Sequence, residues 1–258
     1  MSAQGVAVVT GGASGIGEAC CRELAKQGFT VAVLDRNVDL ATAVASDIGG
    51  RAHALDVGDD ASVESAAAWV EAEMGPVTAL VNSAGILQVP VRPSELSMDV
   101  FDDVVRVNQR GTYLTCVVFG RAMVARRRGS IVNIASISGM ASMPLHAYAP
   151  SKKAVISITE NLAVEWGPAN VRVNAVSPGY VTTPPLRAAI ERGQRDAEAL
   201  ARNAALGRLI EPSEIAAVVA FLLSPAASAV TGATIPVDAG CIPAMSWAPY
   251  GGVRAPGN

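Results

Sequence analysis

Short runs rich in apolar residues alternate along this chain with longer stretches whose apolar positions recur at helical spacing. The runs fall at 6–9, 31–34, 52–55, 79–81, 130–134, 171–176 and 234–237. Segments apolar on both faces belong in a parallel sheet covered by helices on either side, rather than in a half-exposed sheet with strict alternation. A first helix is expected from Gly15 to about Gln27, and long helical stretches are expected around 98–127 and 151–166. Because β-α-β crossovers are right-handed, the pattern implies an α/β fold with a doubly wound, seven-stranded parallel sheet. Its ligand would sit at the carboxyl ends of the strands.

The residues with chemical character lie at those ends. Gly11, Asp35, Asp56, Asn82, Ser136 and Pro178 each stand at or just past the end of an expected strand. The turn Thr10-Gly11-Gly12-Ala13-Ser14-Gly15-Ile16-Gly17 joins the first strand to the first helix. Glycines there allow a sharp turn and a close approach to a pyrophosphate, which then meets free N–H groups at the helix start. Asp35 follows about 20 residues later, where a carboxylate accepts both hydroxyls of an adenosine ribose. It would repel a 2′-phosphate, so NAD is expected rather than NADP, although the neighbouring Arg36 could pair with such a phosphate. Asp56 and Val57 are placed to hold an adenine between a carboxylate and an apolar wall, with helix capping as the competing role for Asp56.

Tyr148 and Lys152 in Tyr148-Ala149-Pro150-Ser151-Lys152 are one helical turn apart and share a face. In isolation such a pair is an ordinary surface contact. Following a strand that ends near Ser136, in a chain with a dinucleotide cradle, it reads as a proton carrier. Pro150 suits the first turn of that helix, where its missing N–H costs nothing.

The ordered set of motifs resembles the short-chain dehydrogenase/reductase superfamily from residue 5 to about 240. The matching pieces are residues 10–17, Asn82-Ser83-Ala84-Gly85, Asn108 in VNQRGT, Ser136 in NIASISG, residues 148–152, residues 177–183 and residues 236–240. Ser83 departs from the second asparagine common at that place. The resemblance implies a Rossmann-type fold, a nicotinamide cofactor and a homotetramer built on the helices near 98–127 and 151–166. It assigns Asn108, Ser136, Tyr148 and Lys152 to catalysis, with Ser138 competing with Ser136 because the interval to Tyr148 is about one residue short. Asn108 would hold a water linking Lys152 to solvent. The resemblance places Gly11, Ser14, Gly15, Ile16, Gly17, Asn82, Ala84, Gly85, Pro178, Gly179, Val181 and Thr183 against the cofactor, together with Tyr148 and Lys152. Gln88, Ser138, Met140, His146 and Tyr180 are expected to border the substrate.

A free phenol, with a pKa near 10, is a poor base at neutral pH. An ammonium about 4–5 Å from a phenolate, at an effective dielectric near 20, contributes roughly 3–4 kcal/mol before desolvation. That is enough to lower the phenol's pKa by about two. The expected reaction is hydride transfer between NAD(H) and a secondary alcohol or ketone, with a small polar polyol, sugar or hydroxy acid as substrate. The alternatives are an NADPH-linked carbonyl or acyl-thioester reductase, and a non-catalytic NAD-binding sensor or scaffold.

Composition narrows the rest. The 258 residues carry a net charge of −3 and show no linker, low-complexity run or repeat. One domain is expected over 1–258, with a lid at about 184–209 whose Leu186, Ile190, Leu200 and Leu206 face the substrate. A Pro/Gly-rich tail at 241–258, with Trp247 and Tyr250, either folds over a substrate mouth or frays. The acidic balance argues against nucleic acid; the basic run 126–128 reads as a solvated helix end capped by Gly129. Cys20, Cys21, Cys116 and Cys241 have no metal-ligand spacing, and with only His53 and His146 beside them no metal is expected. The first strand starts too near Met1 for a signal peptide, and no apolar run approaches the roughly 20 residues of a membrane span. A cytoplasmic enzyme with reduced thiols is expected.

Overall fold

A computed structural model describes residues 5–254. The strands are β1 (Val6–Thr10), β2 (Thr30–Asp35), β3 (Arg51–Ala54), β4 (Val77–Asn82), β5 (Gly129–Ile134), β6 (Val171–Pro178) and β7 (Thr234–Val237). They form one parallel sheet in the order β3-β2-β1-β4-β5-β6-β7. The helices are α1 (Gly15–Lys26), α2 (Val38–Ile48), α3 (Asp60–Glu73), α4 (Met98–Val104), α5 (Thr112–Arg126), α6 (Tyr148–Trp166), α7 (Pro184–Glu191), α8 (Ala197–Arg202), α9 (Pro212–Leu223) and α10 (Cys241–Ala244). The expected seven-stranded, doubly wound architecture is therefore the observed one.

Two apolar layers sandwich the sheet, as strands without polar faces require. Leu24, Val33, Val81, Ile215 and Leu222 pack on one side, and Leu34, Leu80, Phe119, Met123 and Ile131 on the other. Winding changes direction between β1 and β4, where the chain leaves for opposite faces and opens a crevice at the strand ends.

A polar network ties the sheet to the helices beneath that crevice. Asn82 Nδ2 donates to Asn133 Oδ1 at 2.9 Å, and Thr115 Oγ1 donates to Asn82 Oδ1 at 2.7 Å. Asn133 Nδ2 in turn donates to Thr159 Oγ1 at 2.9 Å. All four side chains are buried, so each depends on the others for its hydrogen bonds.

Several local expectations are corrected. The third strand begins and ends one residue earlier than the apolar run, because an edge strand is anchored on one side only. There His53 stacks on Trp69 at 4.6 Å and Arg51 lies over the same ring. The cap after α5 is Arg127, with φ of 53°, and Gly129 instead starts β5. Arg126 is not a free cation: its guanidinium grips Glu71 at 2.8 and 2.9 Å and donates to the Val77 carbonyl. The tail forms α10 and a 3-10 turn (Met245–Tyr250) on which Trp247 and Tyr250 are exposed; residues 255–258 and 1–4 lie outside the described residues. The cysteines are free and buried, and burial pushes the Cys20 and Cys116 thiols up to about 12. Among the described residues no helix is long and apolar enough to cross a membrane.

Replacing Asn133 by alanine removes the middle of the buried network and leaves Asn82 and Thr159 short of a partner. We expect a loss of about 2–3 kcal/mol, read in urea denaturation as a lower midpoint at unchanged slope.

Candidate active site

The crevice is a cleft of about 510 Å³ running over the ends of β1, β2, β4, β5 and β6. Its floor at one end is the glycine turn. Gly11 and Gly15 take φ of +65° and +57°, a conformation that costs other residues energy. A Cβ on Gly11 would stand 2.7 Å from the Ala84 Cα, and one on Gly17 would overlap the Gly11 carbonyl. Gly17 thus acts from behind the cleft by letting α1 approach the turn. The N-cap residue of α1, Ser14, makes no capping bond with its side chain, so the first-turn N–H groups beside Ser14, Gly15 and Ile16 remain available to an anion.

Asp35 is held at the end of β2 by N–H groups from Ala13 (3.2 Å) and Asn37 (2.9 Å), and it lines the cleft with exposed Arg36. Among the described residues Arg36 forms no ion pair. Asp56 accepts from the Gly58 N–H at 2.8 Å and faces the Arg106 guanidinium at 3.7 Å. It does not cap α3; Asp59 does, accepting from the Ser62 N–H. Val57 lines the cleft next to it. A tight uncapped helix start, with a carboxylate at the next strand end, fits an adenine dinucleotide.

Ala84, Gly85, Pro178, Gly179, Val181 and Thr183 line the middle of the cleft. Thr183 reaches across it: a Cβ on Gly15 would meet the Thr183 methyl at 3.3 Å. Besides Gly17, Asn82 is the exception among the expected cofactor residues. Its amide is consumed by the buried network, and it does not line the cleft.

At the other end Ser136, Tyr148 and Lys152 come together. Ser136 lines the same end of the cleft as Tyr148 and accepts from both the N–H (3.1 Å) and the hydroxyl (2.9 Å) of Ser138. Ser138 thus orients Ser136, and both serines line the cleft with Tyr148. Lys152 is buried, donates from Nζ to the Ile134 carbonyl at 2.8 Å, and lies 5.6 Å from the centroid of the Tyr148 ring. Asn108 sits in a π-helical segment (Val105–Gly111), fully buried. Its side chain accepts from the Ile86 N–H at 2.8 Å and donates to the Ile86 carbonyl at 2.9 Å and to Ser151 Oγ at 3.3 Å. It does not line the cleft; only Gly85 separates it from Lys152, since a Cβ there would lie 3.2 Å from Asn108 Oδ1 and 3.6 Å from Lys152 Nζ.

Of the expected substrate residues, Gln88, Ser138 and Tyr180 line the cleft, while Met140 and His146 are exposed and do not. The irregular chain between β5 and α6 turns Met143 and Leu145 inward in their place. Pro185, Leu186 and Arg195 line the cleft from the region of α7 and α8; Ile190, Leu200 and Leu206 do not, and Leu206 is exposed. Arg195 carried no signal in the sequence, because nothing in its spacing distinguishes it from surface arginines.

A family model described as enoyl-(acyl carrier protein) reductase matches residues 11–241. The chain belongs to the short-chain dehydrogenase/reductase superfamily. It is 40% identical to D-threitol dehydrogenase of Mycolicibacterium smegmatis, over 91% of this chain and 92% of that one. It is 42% identical to galactitol 2-dehydrogenase (L-tagatose-forming) of Cereibacter sphaeroides, over 91% and 93%. A crystal structure described as ribose-5-phosphate isomerase from Brucella melitensis 16M superposes with a TM-score of 0.96 at 52% identity, over 97% of each chain. The protein is an oxidoreductase of this superfamily, transferring hydride between a nicotinamide cofactor and a secondary alcohol.

The electrostatics of the dehydrogenase site differ from expectation in one respect. Burial pushes the Tyr148 phenol up to about 12, against a smaller opposing effect of the Ser136 hydrogen bond. Burial also pushes Lys152 down to about 8. Desolvation outweighs attraction because Nζ is tied to a carbonyl and lies over the ring. The lysine alone does not acidify the phenol.

Lys152 sheds its proton more readily folded than unfolded. Its contribution to stability is therefore full above about pH 10.4, the ordinary lysine pKa, and is lost as pH falls toward 8. Relative to a Lys152→Met variant, the wild type should gain stability by on the order of 1 kcal/mol per pH unit between 8 and 10 in urea unfolding. A pH-independent difference would contradict the assignment.

Proposed function

We propose that this dehydrogenase uses NAD to oxidise a secondary hydroxyl of a small polyol, reversibly, with Ser136, Tyr148, Lys152 and Asn108 as its working side chains. The observation that carries this reading is the convergence of Ser136, Tyr148 and buried Lys152, its Nζ over the Tyr148 ring, in a cleft that also holds the glycine turn. Bound NAD supplies the hydride acceptor and a positive ring charge.

Ser136 holds the substrate oxygen by hydrogen bonding, while the Tyr148 phenolate takes the hydroxyl proton. Lys152 steadies the phenolate and reaches the ribose hydroxyls on the nicotinamide side. Asn108 braces the Ile86 backbone beside Lys152. The glycine turn with Ser14 and Ile16 cradles the pyrophosphate, Asp35 accepts the adenosine ribose hydroxyls, and Asp56 with Val57 borders the adenine. Ala84, Pro178, Gly179, Val181 and Thr183 wall the nicotinamide half.

NAD is favoured over NADP by the carboxylate of Asp35 at the end of β2. The two polyol dehydrogenases at 40% and 42% identity support a polyol substrate. An aldose–ketose isomerisation proceeds by proton transfer and needs no dinucleotide, so the likeness to a structure described as ribose-5-phosphate isomerase does not alter the reading. We read residues 1–258 as one functional unit, with 184–209 as its lid, supported by Pro185, Leu186 and Arg195 on the cleft wall. Assembly as a homotetramer in the cytoplasm is part of the proposal. Exposed Met98 and Val100 on α4, Tyr113 on α5 and Val164 on α6 support such contacts.

Tyr148→Phe should bind NAD with unchanged affinity and lose at least about 100-fold in kcat; turnover near wild type would remove Tyr148 from the mechanism. Asp35→Ser should move the NADP-to-NAD ratio of kcat/KM at least tenfold toward NADP, and an unmoved ratio would show that Asp35 does not choose the cofactor.

A further inference from the structure

Among the described residues, three buried side-chain atoms have no hydrogen-bond partner: Gln88 Nε2, Ser177 Oγ and Thr234 Oγ1. Ser177 and Thr234 lie in the paired strands β6 and β7, off the cleft. Gln88 lines the cleft and is 5% exposed. Burying an amide N–H₂ without a partner costs stability, so its retention beside a binding site calls for a ligand that completes it.

The orientation of the amide is fixed by its other end. No side chain of α6 or its N-cap residue Ala147 caps the helix. Instead Gln88 Oε1, from the loop after β4, accepts from the Ala147 N–H at 2.7 Å and the Tyr148 N–H at 3.2 Å. Exchanging oxygen and nitrogen would set an amide N–H₂ against two N–H donors, so the nitrogen must be the free end. It is anchored to the first turn of the helix that carries Tyr148, inside the same cleft. Leu87, Met143 and Leu145 line the same cleft, and no acceptor among the described residues bonds the nitrogen.

We propose that Gln88 Nε2 donates to an oxygen on the carbon next to the reacting carbinol, making the enzyme selective for alcohols oxygenated at the adjacent position. The assignment rests on the alcohol dehydrogenase reading and adds the feature of the substrate that is recognised. A hydroxyl or carbonyl oxygen at that position accepts the bond, whereas a methylene leaves the amide buried and unpaired. Sites built to hydrogen-bond a substrate oxygen reject analogues lacking it more strongly than apolar pockets discriminate by size. Gln88 is also a positioning residue for Tyr148 through Oε1, and the two roles separate experimentally.

The test compares NADH-dependent reduction of butane-2,3-dione and butan-2-one by wild type, Gln88→Glu and Gln88→Met, with folding checked by circular dichroism. Glutamate keeps an acceptor for the two N–H groups and replaces the donor by an anion facing the neighbouring oxygen; methionine removes both. The dione-to-ketone ratio of kcat/KM should fall at least tenfold in both variants. Intrinsic reactivity cancels because each ratio is compared with that of the wild type. An unchanged ratio in either folded variant, with both substrates slowed alike, would reduce Gln88 to a helix cap and overturn the assignment. A wild type that reduces neither ketone would overturn the dehydrogenase reading itself.

Discussion

The reversal of winding between β1 and β4 is the constraint on which the rest of this molecule depends. Two parallel strands whose following chain departs to opposite faces leave a crevice at their carboxyl ends. Closing it to the width of a flat cofactor demands backbone in contact with backbone. Gly11 stands so near Ala84 that a methyl group has no room, and Gly17 lets α1 come equally near to Gly11. The free N–H groups at the start of α1 follow from the same geometry. So does the alignment of Asp35, Ala84, Ser136 and Pro178 along one cleft, since each ends a strand or follows one within a few residues.

At the reacting end, burial is the dominant electrostatic fact. It moves Tyr148 and Lys152 in opposite directions, each toward its neutral form. The phenol stays neutral and the amine gives up its proton at about 8, well below the ordinary lysine range. A cationic nicotinamide bound beside them would favour the phenolate and so couple acid–base competence to cofactor binding. Lys152, tied to the Ile134 carbonyl, does not acidify the phenol single-handed. The network of Asn82, Thr115, Asn133 and Thr159 holds the strand ends rigid beneath the pair, and the π-helical turn brings Asn108 to the back of Gly85.

Much of this could be read in the amino acids because central parallel strands must be apolar throughout. Strands β1, β2 and β4 stood out by that run, and β5, β6 and β7 by apolar runs that a few polar residues interrupt. Strand β3, an edge with His53 and Arg51, was displaced by a residue. What escaped were contacts set by distant pairing. Asn82 sits at a strand end as cofactor residues do, yet its amide turns under the sheet toward Asn133, 51 positions away. The cap that Gln88 places on α6 joins residues 59 apart and has no local signature. Between β5 and α6 no periodicity fixes the path of the loop, so Met140 and His146 were expected where Met143 and Leu145 stand. Arg127 takes the left-handed turn for which Gly129 was the obvious candidate, because strand pairing with Val171 already uses the glycine.

The central claim is that a carbinol hydrogen leaves as hydride for the nicotinamide. The direct test uses threitol or galactitol deuterated at carbon 2, with NAD, and follows the label by mass spectrometry. The account predicts one deuterium in the NADH formed per deuterated carbinol oxidised and none in solvent. Deuterium released to water, or retained in a rearranged sugar without NADH formation, would contradict it.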